Sequence, residues 1–415
     1  MSQHANGAEP VILEPREAWG VLKSLLNPVT YLKFAKEHPI LSLIFIAGLA
    51  VTVNRFAFGG LAGTTHLDNN NPWGIWISFD LLCGVALAAG GYTTTASALI
   101  FNIKGFRTAV KPAILTAFLG YAFVVFALCY DVGQPWRLPY PVFVSQGTSS
   151  VLFEVGLCVM LYVTVLLIEW LPNFTDWLGL SKISHLIHKA TIALTIMGIV
   201  LSTMHQSSLG MLYLIAPSKL HPLWYSPQLP LQFFVSSMIA GMSMVIFEGT
   251  LSHHYLHSRM SGEYNRDHNN VMFMFAKACS IILFGYFFMK WVPIAGENKW
   301  SYLFDGKYAL MWWVEMLGFV VLPSFLYAVG YRARSIGTIK AASVLGVLGI
   351  VFNRFNVGWF AFNIDLRPEQ RYFPSVQEII VSVFVVTCII LAFRFVSKYM
   401  AIFSDHPSYK GHQHH

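Results

Sequence analysis

The side chains able to do chemistry are few, and most are acids set among apolar residues. Asp80 lies in WISFDLLCG, Asp131 in ALCYDVGQP, Glu154 in SVLFEVG and His205 in STMHQSS. Further along, Glu169, Glu248, Lys277, Glu315, Arg354 and Glu378 interrupt equally apolar stretches. An ionisable group inside such a stretch is expensive to bury and marks a functional position by default. Carboxyl groups in that setting suit proton exchange, with His205 as a hydrogen-bonding partner. Spacing adds two candidate routes. Asp80, Gly84, Ala88, Gly91 and Thr95 share one helical face, and Glu154, Cys158, Tyr162 and Glu169 fall within a narrow sector of another. Each stripe is either a wet path for protons or a packing face of small residues between helices. Glu248 and Lys277 are expected toward the opposite end and can form a buried ion pair.

Other chemistry finds no support. The five cysteines (Cys83, Cys129, Cys158, Cys279 and Cys388) stand singly in apolar runs, without the short spacings that iron–sulfur clusters or structural zinc require. The fifteen histidines fall in tails, loops or expected helix ends, so stacked b haems are not expected. His185, His188, His253, His254 and His257 cluster on the inner side, where they suit an interface or a surface metal site, although no metal ligand is assigned, and the terminal GHQHH reads as a disordered tail.

The elements that must position these groups follow from composition. Of 415 residues, 55% are apolar and 11% charged, against about 25% charged in soluble proteins. A mean hydropathy of +0.56 excludes a water-soluble enzyme, and the net charge of +7 bears on membrane orientation rather than on nucleic acid. Runs long enough to cross a bilayer lie near 40–59, 73–101, 112–133, 148–171, 185–204, 229–257, 271–294, 308–331, 339–361 and 375–400. The fold expected is all-α, with ten transmembrane helices at 40–400 between an N-terminal segment, 1–39, and a tail, 401–415. Of the 27 lysines and arginines, that topology assigns 17 to the side of the termini and eight to the other, so both termini are expected in the cytoplasm. Trp73, Trp76, Trp136, Trp224 and Trp300 fit an interfacial belt on the outer side.

Several motifs occur in one order: PWGIWISFDLLCG (from Pro72), YDVGQPWRLPY (from Tyr130), SVLFE, TMHQSSLG, HPLW, VIFEG and YFPSVQE (from Tyr372). Together they resemble the NrfD/PsrC superfamily over about residues 40–400, most nearly its HybB-like ten-helix branch. That branch includes membrane subunits of nickel–iron hydrogenases, quinone reductases and sulfate-reducer transmembrane complexes. The resemblance implies two four-helix bundles, spans 2–5 and 6–9, with spans 1 and 10 peripheral. It implies a quinone-interacting subunit of the bacterial inner membrane, with menaquinone favoured and no haem or iron–sulfur cluster in the chain. A periplasmic iron–sulfur subunit would dock on it and lead to a hydrogenase, a molybdopterin enzyme or a multihaem cytochrome. By position in the motifs, Asp80, Asp131, Glu154 and His205 become the catalytic candidates.

Quinone reduction consumes two electrons and two protons, so it needs partners for two ring oxygens and a titratable donor. Asp80, Glu154 and His205 fit those roles, with Trp73, Trp76 or Tyr130 against the ring. Glu154, Tyr162, Glu169, Glu248 and Lys277 are the expected proton path. The rival readings are a proton-coupled secondary transporter and a structural anchor without a quinone.

Overall fold

The computed structural model describes residues 15–403, which contain helices and no strand. The GHQHH tail lies outside the described residues. Ten helices are long and apolar enough to cross a membrane: Pro39–Phe58, Trp76–Ile100, Arg107–Asp131, Val151–Trp177, Lys182–Met211, Leu229–Tyr255, Gly262–Gly296, Gly306–Arg332, Ile336–Phe360 and Val376–Tyr399. They are spans 1 to 10, and the ends facing residues 59–75 are termed outer, after the charge bias. The shortest, with 20 residues, reaches about 30 Å at 1.5 Å per residue.

Two boundaries differ from expectation for one reason. Span 5 runs to Met211 and span 7 starts at Gly262, because polar residues such as HQSSLG and EYNRDHNN keep helical geometry after hydropathy falls. Lys290 and Arg55, assigned to the outer loops by charge, therefore lie inside spans 7 and 1. Trp76 and Trp224 are buried at 2% and 1% exposure and do not belong to an interfacial belt, whereas Trp136 and Trp300 are exposed.

Span 2 packs on span 3, 3 on 4, 4 on 5, and 5 returns to 2. Spans 6, 7, 8 and 9 close a second ring in the same way. Spans 2 and 6 form the seam between them, where the backbones nearly touch. A Cβ on Gly241 would stand 2.4 Å from the Gly90 nitrogen and 2.5 Å from the Ala89 carbonyl carbon. Span 10 lies against spans 1 and 3.

The span 2 stripe is a packing face. A Cβ on Gly84 would meet Val124, and one on Gly91 would meet Ala117, at 2.6 and 2.5 Å, while Gly120 of span 3 receives Ala88. Small residues let these helices approach closely, so Gly84, Ala88 and Gly91 form no water column. π-Helical turns occur at Trp76–Leu81 in span 2, Val314–Val321 in span 8 and Asn356–Phe360 in span 9. Such turns are uncommon and frequent at functional sites. Asp80 and Glu315 sit within two of them.

Candidate functional site

The predicted residues separate into two groups on opposite sides of span 2. The outer group joins spans 1, 2, 3 and 10. Asp80, 6% exposed, accepts a hydrogen bond from Ser382 Oγ of span 10 at 2.7 Å. Asp131, at the end of span 3, lies within electrostatic reach of Asp80, Glu378 and Arg55. Its Oδ1 is buried without a hydrogen-bond partner among the described residues. Arg55 donates to the Tyr130 and Val132 carbonyl oxygens, at 3.0 and 2.9 Å, which holds its charge beside that carboxylate. Glu378 is fully buried and accepts from the backbone nitrogens of His66 and Ser375, and from the Tyr372 hydroxyl. Its place is set locally, because Ser375 and Glu378 cap the start of span 10 reciprocally.

Three carboxyl groups thus gather around Asp131, which is itself beside the Arg55 guanidinium, in a place poor in water. As a set they have the charge balance to hold and exchange protons. Trp76 and Tyr130 belong to this group as packing residues. Their rings meet at 6.0 Å, Trp76 donates to the Glu378 carbonyl oxygen, and the Tyr130 hydroxyl pairs with Thr52.

The inner group lies among spans 2–5. His205, fully buried, has Nδ1 on the Leu201 carbonyl oxygen at 2.9 Å and Nε2 on the Tyr121 hydroxyl. The first contact requires Nδ1 to carry the proton, leaving Nε2 to accept from Tyr121. Gln206 donates to the Val85 carbonyl and to Tyr121. The Tyr162 ring stands edge-on to Tyr121 at 4.7 Å, and its hydroxyl is buried without a hydrogen-bond partner among the described residues. Toward the outer end Glu154 accepts from Ser208, at 2.6 Å, and toward the inner end Glu169 accepts from Thr195, at 3.0 Å. A small cavity lined by Tyr92, Thr95, Tyr162, Glu169 and Thr195 joins the tyrosine to the deeper acid. His205 therefore sits inside its span rather than at the end.

The expected Glu248–Lys277 ion pair does not form. Glu248 of span 6 accepts from Thr116 of span 3, and the Lys277 ammonium lies over the Tyr331 ring at 5.9 Å. Spans 6 and 7 pack together, but the two side chains turn to different partners, which spacing along the chain cannot reveal.

Sequence reasoning missed a third constellation, in the second ring. Lys290 Nζ approaches Glu315 Oε1 at 3.3 Å, with both side chains 2% exposed. Glu315 also accepts from Trp224, Asn353 and Asn356 at 2.8, 2.8 and 2.7 Å. Arg354 donates to Asn353 Oδ1 and Ser236 Oγ, and stands over Phe233 at 3.7 Å. The signal available was Lys290 in FFMKWVP, still within an apolar run. Tyr121 gave no such signal, being one aromatic among many.

A cavity of about 350 Å³ opens at the outer end, between the loop before span 2 and spans 8 and 9. It includes Trp73 from the predicted set, but not Asp80, Glu154, His205, Trp76 or Tyr130. Trp359, Phe362, Asn363, Arg371 and Tyr372 complete much of the wall, and Trp73 stacks on Phe362 with an interplanar angle of 16°. Beside it, in the loop after span 5, burial lowers the His221 imidazole to about 4, against a smaller opposing effect of Asp305.

Among the described histidines, His205 has both nitrogens engaged, and His253 and His268 stack face to face at 5.1 Å. Among the described residues, no group of three or more His, Cys, Asp or Glu could hold a metal ion.

Ten apolar helices with ionisable side chains gathered inside their assembly define a multi-pass membrane protein. The chain belongs to the family described as polysulphide reductase, NrfD, which it matches over residues 63–359. It is 58% identical over 388 residues to a protein of Nitratidesulfovibrio vulgaris whose name carries no function, covering 94% of this chain and 97% of that one. It is 30% identical to the probable Ni/Fe-hydrogenase 2 b-type cytochrome subunit of Escherichia coli, covering 89% and 92%. The integral membrane subunit of menaquinone reductase from N. vulgaris is 27% identical, with the same coverages of 89% and 92%. The likeness read from the motifs is thus a family relationship.

Proposed function

We propose that this chain is the integral-membrane subunit of a bacterial respiratory redox complex. It binds a quinone, menaquinone by preference, near the periplasmic side and exchanges electrons with an iron–sulfur subunit docked there. The observation that carries the reading is the outer group, in which Asp131 lies within electrostatic reach of Asp80, Glu378 and the Arg55 guanidinium. A buried reservoir of exchangeable protons is what a two-electron, two-proton reaction needs from a subunit that supplies protons and leaves electrons to a partner. Kinship with a menaquinone reductase membrane subunit supports the same chemistry.

In this reading Asp80 and Asp131 exchange protons at the reacting end. His205, Tyr121, Glu154, Tyr162 and Glu169 form a polar thread through spans 2–5, and Glu248 contributes at the inner side. Lys277, held over Tyr331, lies apart from Glu248 and keeps only a marginal place in the path. The b-type cytochrome name belongs to the hydrogenase relative, and this reading assigns no haem to the chain. The inner-membrane location, cytoplasmic termini and two-bundle division are part of the same proposal, the last supported by the two closed rings of contacts. The partner beyond the iron–sulfur subunit is a hydrogenase, a molybdopterin enzyme or a multihaem cytochrome.

The test is purification of the complex in mild detergent, followed by quinol-site inhibitor titration of wild type and Asp80→Asn. An iron–sulfur partner that co-purifies, with saturable inhibitor binding weakened about tenfold by the substitution, about 1.4 kcal/mol, is the expected result. A chain that purifies alone and binds no inhibitor would return it to the transporter or bare-anchor class.

A further inference from the structure

Lys277 is a charge inside an apolar span that neither the outer group nor the polar thread engages. Its place on the helix gives the reason. Ile281, Phe284 and Phe288 are exposed and follow Lys277, itself exposed, at spacings that put all four on one face of span 7. That face turns away from the other helices, and in a bilayer it meets lipid. Span 8 repeats the pattern. Leu322, Phe325 and Val329 are exposed at helical spacing, and Arg332 ends the same face. The two spans pack on each other, and Ser280 and Ser324 exchange hydroxyl-to-carbonyl hydrogen bonds at 3.0 and 3.1 Å. Two apolar stripes on neighbouring helices thus each end, toward the inner side, in a cation.

A third cation joins them. Lys277 Nζ lies 5.9 Å from the centre of the Tyr331 ring, and the Arg334 guanidinium lies 5.6 Å from the same ring and 4.9 Å from that of Phe273. Tyr331 is in the last turn of span 8, so the Lys277 ammonium stands level with the end of that span, where headgroups begin. Arg334 closes the helix. The Ser335 nitrogen donates to the Gly330 carbonyl at 2.9 Å and the Arg334 nitrogen to that of Tyr331 at 3.4 Å, with Arg334 at a φ of +52°. Glycine is the usual residue at this left-handed position. An arginine there carries a backbone cost, which points to a use for its side chain.

No acid balances these charges. The sequence has no Asp or Glu between Asp267 and Glu297, nor between Glu315 and Asp365. Among the described residues, none of the three cations forms an ion pair with a carboxylate. A lysine on a lipid-facing surface is costly unless its ammonium reaches the phosphate level.

We propose that Lys277, Arg332 and Arg334 hold the phosphate of an anionic phospholipid in the inner leaflet, with its acyl chains along the two apolar stripes. Stripes that run on directly from the cations favour a lipid over a free phosphate ion. A zwitterionic headgroup brings an ammonium for which the patch has no carboxylate, so phosphatidylglycerol is preferred to phosphatidylethanolamine. Bound there, the lipid ties span 7 to span 8. This site stands independently of the quinone reading.

The experiment uses the full chain, delipidated in neutral detergent, and native mass spectrometry with added phosphatidylglycerol, phosphatidylethanolamine or inorganic phosphate. Wild type is expected to bind phosphatidylglycerol at least tenfold more tightly than phosphatidylethanolamine. Lys277→Gln/Arg334→Gln should weaken phosphatidylglycerol at least tenfold. Lys182→Gln/Lys189→Gln, which removes the same charge from exposed lysines at the inner end of span 5, should leave it within about twofold. Arg334→Gly suits the backbone, so it should weaken the lipid without lowering thermal stability, which separates binding from folding. Equal loss in the two double variants would mean a diffuse attraction to the whole basic face and overturn the site. Equal affinity for the two lipids, or displacement of phosphatidylglycerol by millimolar inorganic phosphate, would overturn it as well.

Discussion

Removing Lys290 tests how the second ring of helices is held. Its ammonium lies 3.3 Å from Glu315, and both side chains are 2% exposed. At an effective dielectric constant of about 20 the attraction is about 5 kcal/mol, opposed by the cost of burying both charges. Lys290→Met leaves a buried carboxylate held by Trp224, Asn353 and Asn356. Those neutral donors satisfy its lone pairs but not its charge, so the expected loss is about 3–5 kcal/mol. Glu315→Gln should lose a comparable amount, because Lys290 and Arg354 then face each other without an anion. The double variant Lys290→Met/Glu315→Gln removes both charges and should recover most of the loss. The expected coupling is at least about 2 kcal/mol in a double-mutant cycle. Equilibrium unfolding in mixed SDS micelles, followed by tryptophan fluorescence, measures it. Additive single effects, each below about 1 kcal/mol, would mean that the two side chains do not meet as a charged pair, and the account of this network would be wrong.

Three further outcomes follow from packing and hydrogen bonds. Gly241→Ala places a methyl group 2.4 Å from the Gly90 backbone and should cost at least the 1–3 kcal/mol usual for overpacking, read as lower thermal stability; an unchanged melting temperature would refute the backbone contact at the seam. Tyr121→Phe leaves His205 Nε2 without its donor and should cost about 1–3 kcal/mol, whereas Tyr31→Phe on an exposed helix should cost little. His221, lowered to about 4 from 6.5 and packed with its ring 4.4 Å from that of Tyr308, is neutral when folded. It therefore contributes stability that is complete above pH 6.5 and lost as the pH falls toward 4, at most about 3 kcal/mol. His221→Gln should flatten that pH dependence of unfolding, and an unchanged profile would show that another group causes it.

The sequence by itself determined that the chain crosses a membrane ten times and that its acids are the groups to watch. Both conclusions rest on local facts: runs of apolar residues, and charges inside them that are costly to bury and so mark positions to examine. The ordered motifs also identified the family, because they carry family-specific spacing along the chain. Partnership was a different matter. Asp80 and His205 are predicted to serve one ring, yet span 2 presents Asp80 to Ser382 of span 10, more than 300 residues away, while His205 faces Tyr121. Glu248 pairs with Thr116 rather than Lys277, and Lys290 belongs to Glu315. The stripe of Gly84, Ala88 and Gly91 reads equally as a wet path or a packing face until span 3 is seen filling it. The outer cavity was beyond reach altogether, since its walls come from the loop before span 2, spans 8 and 9 and the loop before span 10. Helical periodicity says which residues share a face; which helix meets that face is decided by how all ten spans pack together, and that only the tertiary structure contains.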